Sequence, residues 1–137
     1  MSDCTERLFG CPCTDTRARA NEGTVSLMAL VDLFVTCVND AEANAIRSAL
    51  LNGRLIACGN TWPISSAFRW NDELDEVSEV MLLAKTTDDR QAAAVEVINE
   101  LHSYDLPAVS VVRVEATSPE YERWVVESTR PQNGTAQ

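Results

Sequence analysis

Two hydrophobic periods alternate along this chain. Ala29 to Val38 is a continuous Val/Leu/Phe/Cys-rich run, which predicts a first, buried strand. Asn39-Asp40-Ala41-Glu42 then reads as a capping box, with Asn39 as N-cap and Glu42 at the third helical position. The helix it opens carries Ala43, Ile46, Ala49 and Leu50 on one stripe and is predicted to end with Gly53 just past its last turn. From Leu55 the period shortens to two. Trp62, Ile64, Phe68 and Trp70, with Ser66 among them, fall on one face of an extended arm, because successive strand side chains point to opposite faces. Asn71-Asp72-Glu73 reads as a turn, and a second arm runs from Leu74 through Val77, Val80, Met81, Leu82 and Leu83 to Thr86. Pro63 cannot donate a ladder hydrogen bond, so a bulge or bend is expected in the first arm.

The helical period returns at Thr87 or Asp88, where Gln91 could close a second capping box. Ala94, Val95, Ile98, Leu101 and His102 form its apolar stripe. Ser103-Tyr104-Asp105-Leu106-Pro107 breaks it, and the Val-rich run from Ala108 to Thr117 predicts a central strand. Ser118 with Pro119 opens a last short helix bearing Tyr121, Trp124 and Val125 on one face.

The order β-α-β-β-α-β plus a C-terminal helix is the α+β split βαβ, or ferredoxin-like, arrangement. Right-handed crossovers place both main helices on one face of a four-stranded antiparallel sheet. Each hairpin arm would span roughly 40 Å, against roughly 20 Å for a helix beside it, so the hairpin overhangs its own domain. Val80, Leu82 and Ala84 alternate with Met81, Leu83 and Lys85, which makes that arm apolar on both faces for most of its length. Overhang and two-sided burial both predict sheet-on-sheet packing in an oligomer. Residues 1–24 lack an apolar period and read as a flexible tail, 25–130 as the ferredoxin-like domain, and 131–137 as a second tail.

Composition narrows the class further. No run of about 18 apolar residues occurs, since Asp32 and Thr36 interrupt the longest candidate, Leu27 to Val38. The first 23 residues mix acids with arginines and have no apolar centre, which argues against a secretory signal and predicts a cytoplasmic protein. A formal charge of −10 disfavours nucleic acid and anionic membrane surfaces, because phosphate binding needs a positive field. Five cysteines without such a signal suggest reduced thiols. Cys4, Cys11 and Cys13 lie in the tail, where Cys11-Pro12-Cys13 offers soft donors suited to Cu(I) but not a paired zinc pattern. Cys37 and Cys58 lie in apolar strand contexts, as small core residues do. The single histidine accompanies no nucleophile elbow, and the five glycines form no phosphate-cradling loop, so catalysis is not expected.

Several segments resemble the CutA divalent-cation tolerance proteins. These are Leu55-Ile56-Ala57-Cys58-Gly59-Asn60, Pro63-Ile64-Ser65-Ser66, Phe68-Arg69-Trp70, Glu79, Lys85-Thr86-Thr87 and Tyr104-Asp105-Leu106-Pro107. They follow the family's L-x-A-C-x-N, P-I-x-S-x-Y-x-W, E-x-x-L-x-x-K-T and Y-x-x-P order across residues 31 to 129. The resemblance implies a ferredoxin-like subunit in a tight homotrimer with crossing hairpins, cytoplasmic and associated with copper or another divalent metal. Two other plans share features with it: a small-ligand or nucleotide-sensing trimer resembling the PII proteins, and a structural scaffold.

The family's copper ligands carry over in part. Alignment through Cys58 puts Val35 where a cysteine stands, Leu101 and His102 where a histidine pair stands, and Ala108 where a glutamate stands. His102 remains, and Cys37, two residues from Val35 on the same strand face, is its candidate partner; imidazole with thiolate suits copper. The competing reading makes His102 the end of a helical stripe, hydrogen-bonded at the helix C-terminus. The resemblance also implies that Trp70, Glu79, Lys85 and Tyr104 gather around clefts between subunits, with Glu79 and Lys85 alternatively an interface ion pair.

Overall fold

A computed structural model describes residues 29–132. The expected tail over 1–24, with Cys4, Cys11 and Cys13, and most of that over 131–137 lie outside the described residues. The elements are β1 (Leu30–Cys37), α1 (Asp40–Asn52), β2 (Cys58–Trp70), β3 (Glu73–Thr87), α2 (Asp88–Leu101), β4 (Val109–Arg113) and α3 (Pro119–Ser128). They form one antiparallel sheet in the order β2-β3-β1-β4, the ferredoxin-like order.

One sheet face carries the core. Val31, Leu33, Val35 and Cys37 of β1 and Val80, Leu82 and Ala84 of β3 are buried with Ala43, Ile46 and Leu50 of α1 and Ala94 and Ile98 of α2. The expected stripes supply these buried positions and Val125 of α3, with Ala49, Val95 and Tyr121 half-buried, whereas Leu101 and Trp124 are each 47% exposed. The opposite face runs through Phe34, Met81 and Leu83 to Trp62, Ile64, Phe68 and Trp70, as the register requires. Trp62 is 40%, Phe68 41% and Trp70 54% exposed. Among the described helices, α3 reaches one end of this face, where Lys85 Nζ stands 5.9 Å from the Tyr121 ring centroid.

The hairpin overhangs as its length requires. β3 pairs with β1 only from Val80 to Thr87, so its outer part, Glu73 to Glu79, pairs with β2 alone. The register between β2 and β3 is unbroken from Cys58↔Lys85 to Trp70↔Glu73, so the bulge expected at Pro63 does not form. β2 is an edge strand, and an edge tolerates proline where the missing N–H would point away from its neighbour. The turn is also tighter than expected. Glu73 belongs to β3, and Asn71 (φ 51°) and Asp72 (φ 65°) alone make a two-residue turn, with the left-handed pair that type I′ requires. Glycine adopts the second position without a Cβ penalty. Asp72→Gly is therefore expected to raise the stability of the folded chain by about 0.5–1 kcal/mol; a lowered urea midpoint would refute strain at Asp72.

Three further expectations change at the element ends. Gly53 has φ −84°, and Arg54, at φ 57°, takes the left-handed position instead. Leu55 N–H donates to Leu50 O (2.9 Å) and Arg54 N–H to Leu51 O (3.1 Å), a Schellman pattern shifted by one residue. Arg54 is held there from both sides, donating to Ser128 O (3.3 Å) and accepting at its carbonyl from Arg90. The box expected between Asp88 and Gln91 is replaced: Thr87 is the N-cap of α2 and its hydroxyl bonds the Asp89 carboxylate, while Asp88 faces Arg113 (3.7 Å). Finally, β4 is a five-residue edge strand, largely exposed, rather than a central one. A valine-rich run signals burial on a sheet but not which position in the sheet it takes.

Candidate functional site

The described residues gather one cluster of metal-type donors, at the end of β1. α1 and α2 follow strands of opposite direction, so the C-terminal end of α2 meets the N-terminal end of α1. This brings His102 beside Cys37 and Glu42, with one donor atom from each within 4.8 Å of the others. Cys37 is fully buried and His102 is buried. Val35 is in the core, Leu101 faces outward, and Ala108 lies before β4, where its carbonyl accepts from Thr36 N–H (3.4 Å). Glu42 is the member that sequence reasoning missed, because its spacing from Asn39 already explained it as a cap. Asn39 Oδ1 does accept from Glu42 N–H (2.9 Å). The Glu42 carboxylate reaches past the N-cap, however: Oε2 accepts from Val38 N–H (2.8 Å) and Oε1 from Ser103 N–H (2.7 Å). The available signal was topological, since the antiparallel helices must bring this cap to the Ser103 turn.

Each donor is already committed. His102 Nε2 lies 2.7 Å from Thr36 O and 3.7 Å from Glu42 Oε2, while Nδ1 accepts from Tyr104 N–H (3.1 Å). Burial, reinforced by the Glu42 and Glu79 carboxylates, pushes the Cys37 thiol up to about 12. Burial alone would raise the Glu42 carboxyl too, but the Ser103 and Val38 hydrogen bonds and the nearby imidazole outweigh it and hold the group below the usual range. The residue types suit copper or zinc, but their arrangement does not. A neutral imidazole binds metal through a bare nitrogen, and the one bare nitrogen here is occupied by a backbone N–H.

The second group of expected site residues is spread along the hairpin. Tyr104 Oη donates to Glu79 Oε2 (2.8 Å), where β3 passes beyond the end of β1. Glu79 is buried, and burial of the Tyr104 hydroxyl, followed by its hydrogen bond to Glu79 and then the Glu79 charge, raises that hydroxyl to about 12. Lys85 sits six residues further along β3, roughly 20 Å away, opposite Asp32 and against Tyr121. Trp70 lies at the hairpin tip, paired with Glu73. Within one chain, therefore, Glu79 and Tyr104 meet, and Lys85 and Trp70 do not join them.

These features define a class: a ferredoxin-like α+β chain with an overlong hairpin and an apolar sheet face that the described helices leave largely open. The chain belongs to the CutA1 divalent ion tolerance protein family, whose model matches residues 31–128. It is 36% identical over 93 residues to a CutA homolog of Xenopus laevis, covering 67% of this chain and 62% of that protein. It is 33% identical over 99 residues to the divalent-cation tolerance protein CutA of Thermotoga maritima, covering 72% and 98%. The chain thus spans about three fifths of the vertebrate relative and nearly all of the bacterial one. Among solved structures, it resembles the divalent ion tolerance protein CutA1 of Ehrlichia chaffeensis, with TM-score 0.73 and 30% identity over 77% of this chain and 99% of that one. The periplasmic divalent cation tolerance protein CutA of Archaeoglobus fulgidus gives TM-score 0.73 at 27% identity, over 74% and 99%. Among the described residues, no helix is long and apolar enough to cross a membrane.

Proposed function

We propose that this chain acts as a non-catalytic cytoplasmic homotrimer in tolerance to divalent cations, with copper the foremost of them. The observation that supports tolerance is the family match over 31–128. The trimer is supported by the apolar face of Trp62, Ile64, Phe68 and Trp70, which the described helices leave largely open, and by the overhang of β3, which pairs with β2 alone. A second copy of the chain supplies the matching apolar face and an equivalent hairpin. With a formal charge of −10, the assembled surface attracts cations and repels nucleic acid and anionic membranes.

In the source cell, deletion of the gene for this chain is expected to lower the copper concentration that halves growth, with restoration by the chain supplied in trans. Equal copper sensitivity with and without the chain would refute the tolerance reading.

A further inference from the structure

We infer that Cys37, Glu42 and His102 form a hydrogen-bonded latch closed to metal, which positions Tyr104 against Glu79. This is independent of the proposed role in ion tolerance, which requires no metal at this point of the fold. By residue type the cluster invites a metal: three donors of the right chemistry lie within 4.8 Å of one another. The hydrogen atoms decide otherwise. Thr36 O can only accept, so the 2.7 Å contact places a proton on His102 Nε2. Tyr104 N–H can only donate, so the 3.1 Å contact leaves Nδ1 bare and occupied. The two contacts together fix one tautomer, and its protonated nitrogen is the one facing Glu42. A ligating histidine ordinarily donates its other ring N–H to a second-shell acceptor. Here the other nitrogen meets a donor. Metal at Nε2 would require a proton on Nδ1, set directly against the Tyr104 N–H.

The same contacts show what the cluster does. Glu42 joins the start of α1 to Val38 after β1 and to Ser103 after α2. His102 joins that turn to β1 through Thr36, and its ring stands 5.0 Å from the Tyr104 ring, tilted by 53°. The turn is thereby fixed on both sides, and Tyr104 Oη arrives 2.8 Å from Glu79 Oε2. Glu79 is the first residue of the overhang, one before the last β1 pair, Cys37↔Val80. Glu42 and His102 are thus positioning residues for the base of the hairpin. The neutral Cys37 thiol fills the buried space beneath them.

Because the chain has a single histidine, long-range proton–nitrogen NMR of the untagged full-length chain reads its ring without ambiguity. The expected result is the Nε2–H tautomer, unchanged after one equivalent of Zn²⁺ or Cu⁺. Metal bound by cysteines elsewhere would leave the ring signals in place. A switch to the Nδ1–H tautomer on addition of either ion would overturn the inference. Glu42→Ala supplies a second reading, since it removes both oxygens that accept from Val38 and Ser103. Exchange of the Ser103 and Tyr104 amide hydrogens should quicken at least about tenfold, with the β1 and β3 amides unchanged. Unaltered exchange at Ser103 and Tyr104 would show that no latch exists.

Discussion

A chain carrying Trp62→Asp together with Phe68→Asp is expected to sediment as a monomer at micromolar concentration, while remaining folded. Both side chains project from β2 on the face away from α1 and α2, and each is about two-fifths exposed in the isolated subunit. Neither substitution touches the core of Val31, Leu33, Leu82, Ile46 and Ile98. The folded subunit should therefore lose little stability of its own. An interface pays twice. Each buried aromatic contributes roughly 1.5–3 kcal/mol or more of hydrophobic stabilisation, and an unpaired carboxylate costs several kcal/mol to desolvate. Two such changes per subunit, repeated in every copy, shift assembly by many orders of magnitude in concentration. Circular dichroism checks the fold and sedimentation velocity the mass. A double variant that still assembles would show that the β2 face is not the contact.

The second large effect is loss of stability in alkali. The Cys37 thiol is raised from 9.0 to about 12, first by burial and then by the Glu42 and Glu79 carboxylates. A group whose folded pKa lies above its unfolded value contributes stability that is fully present below the unfolded value. That contribution disappears as pH rises through the folded one. Here the window runs from about pH 9 to about pH 12. Each unit of difference is worth about 1.4 kcal/mol, so the folded state should lose on the order of 2–4 kcal/mol across it. Tyr104, also raised to about 12, acts in the same direction from pH 10 upward; its partial exposure makes its share smaller. Denaturant midpoints at fixed protein concentration, under reductant, should fall across this window. Cys37→Ala, which removes the titrating thiol, should flatten most of the decline. An equally steep decline in that variant would place the alkaline lability elsewhere.

Much of the fold was legible because its strongest signals are local. Ala43, Ile46 and Leu50, and likewise Ala94 and Ile98, fall on the buried sides of their helices because a 3.6-residue period leaves no other placement. The even-numbered aromatics of β2 share a face for the same reason at period two. What misled was local chemistry that the sheet overrules. Pro63 suggested a bulge, but an edge strand has a side on which no N–H is needed. Gly53 does follow the last residue of α1, but the left-handed position and the Schellman bonds fall one residue later, on Arg54, which Ser128 and Arg90 hold in place. The valines of β4 suggested a central strand, although their burial is left to whatever covers the sheet edge.

The site was less legible. His102 and Cys37 come together as their residue types suggested, yet Glu42 joins them across 60 residues of chain from His102, a proximity set by helix direction rather than spacing. Nor does residue type show where a proton sits. That depends on Thr36 O and Tyr104 N–H, backbone atoms whose positions only the fold supplies. Trp70 and Lys85 show the converse: within the subunit each lies far from the Glu79–Tyr104 pair, so any common cleft requires more than one chain.

The proposed trimer requires the open β2 face of each copy to be covered by another copy of the chain. Sedimentation equilibrium of the unaltered chain tests it most directly. A single species of three times the 15.1 kDa chain mass is expected, persisting on dilution to low micromolar concentration. A stable, monodisperse species of 15.1 kDa would contradict it.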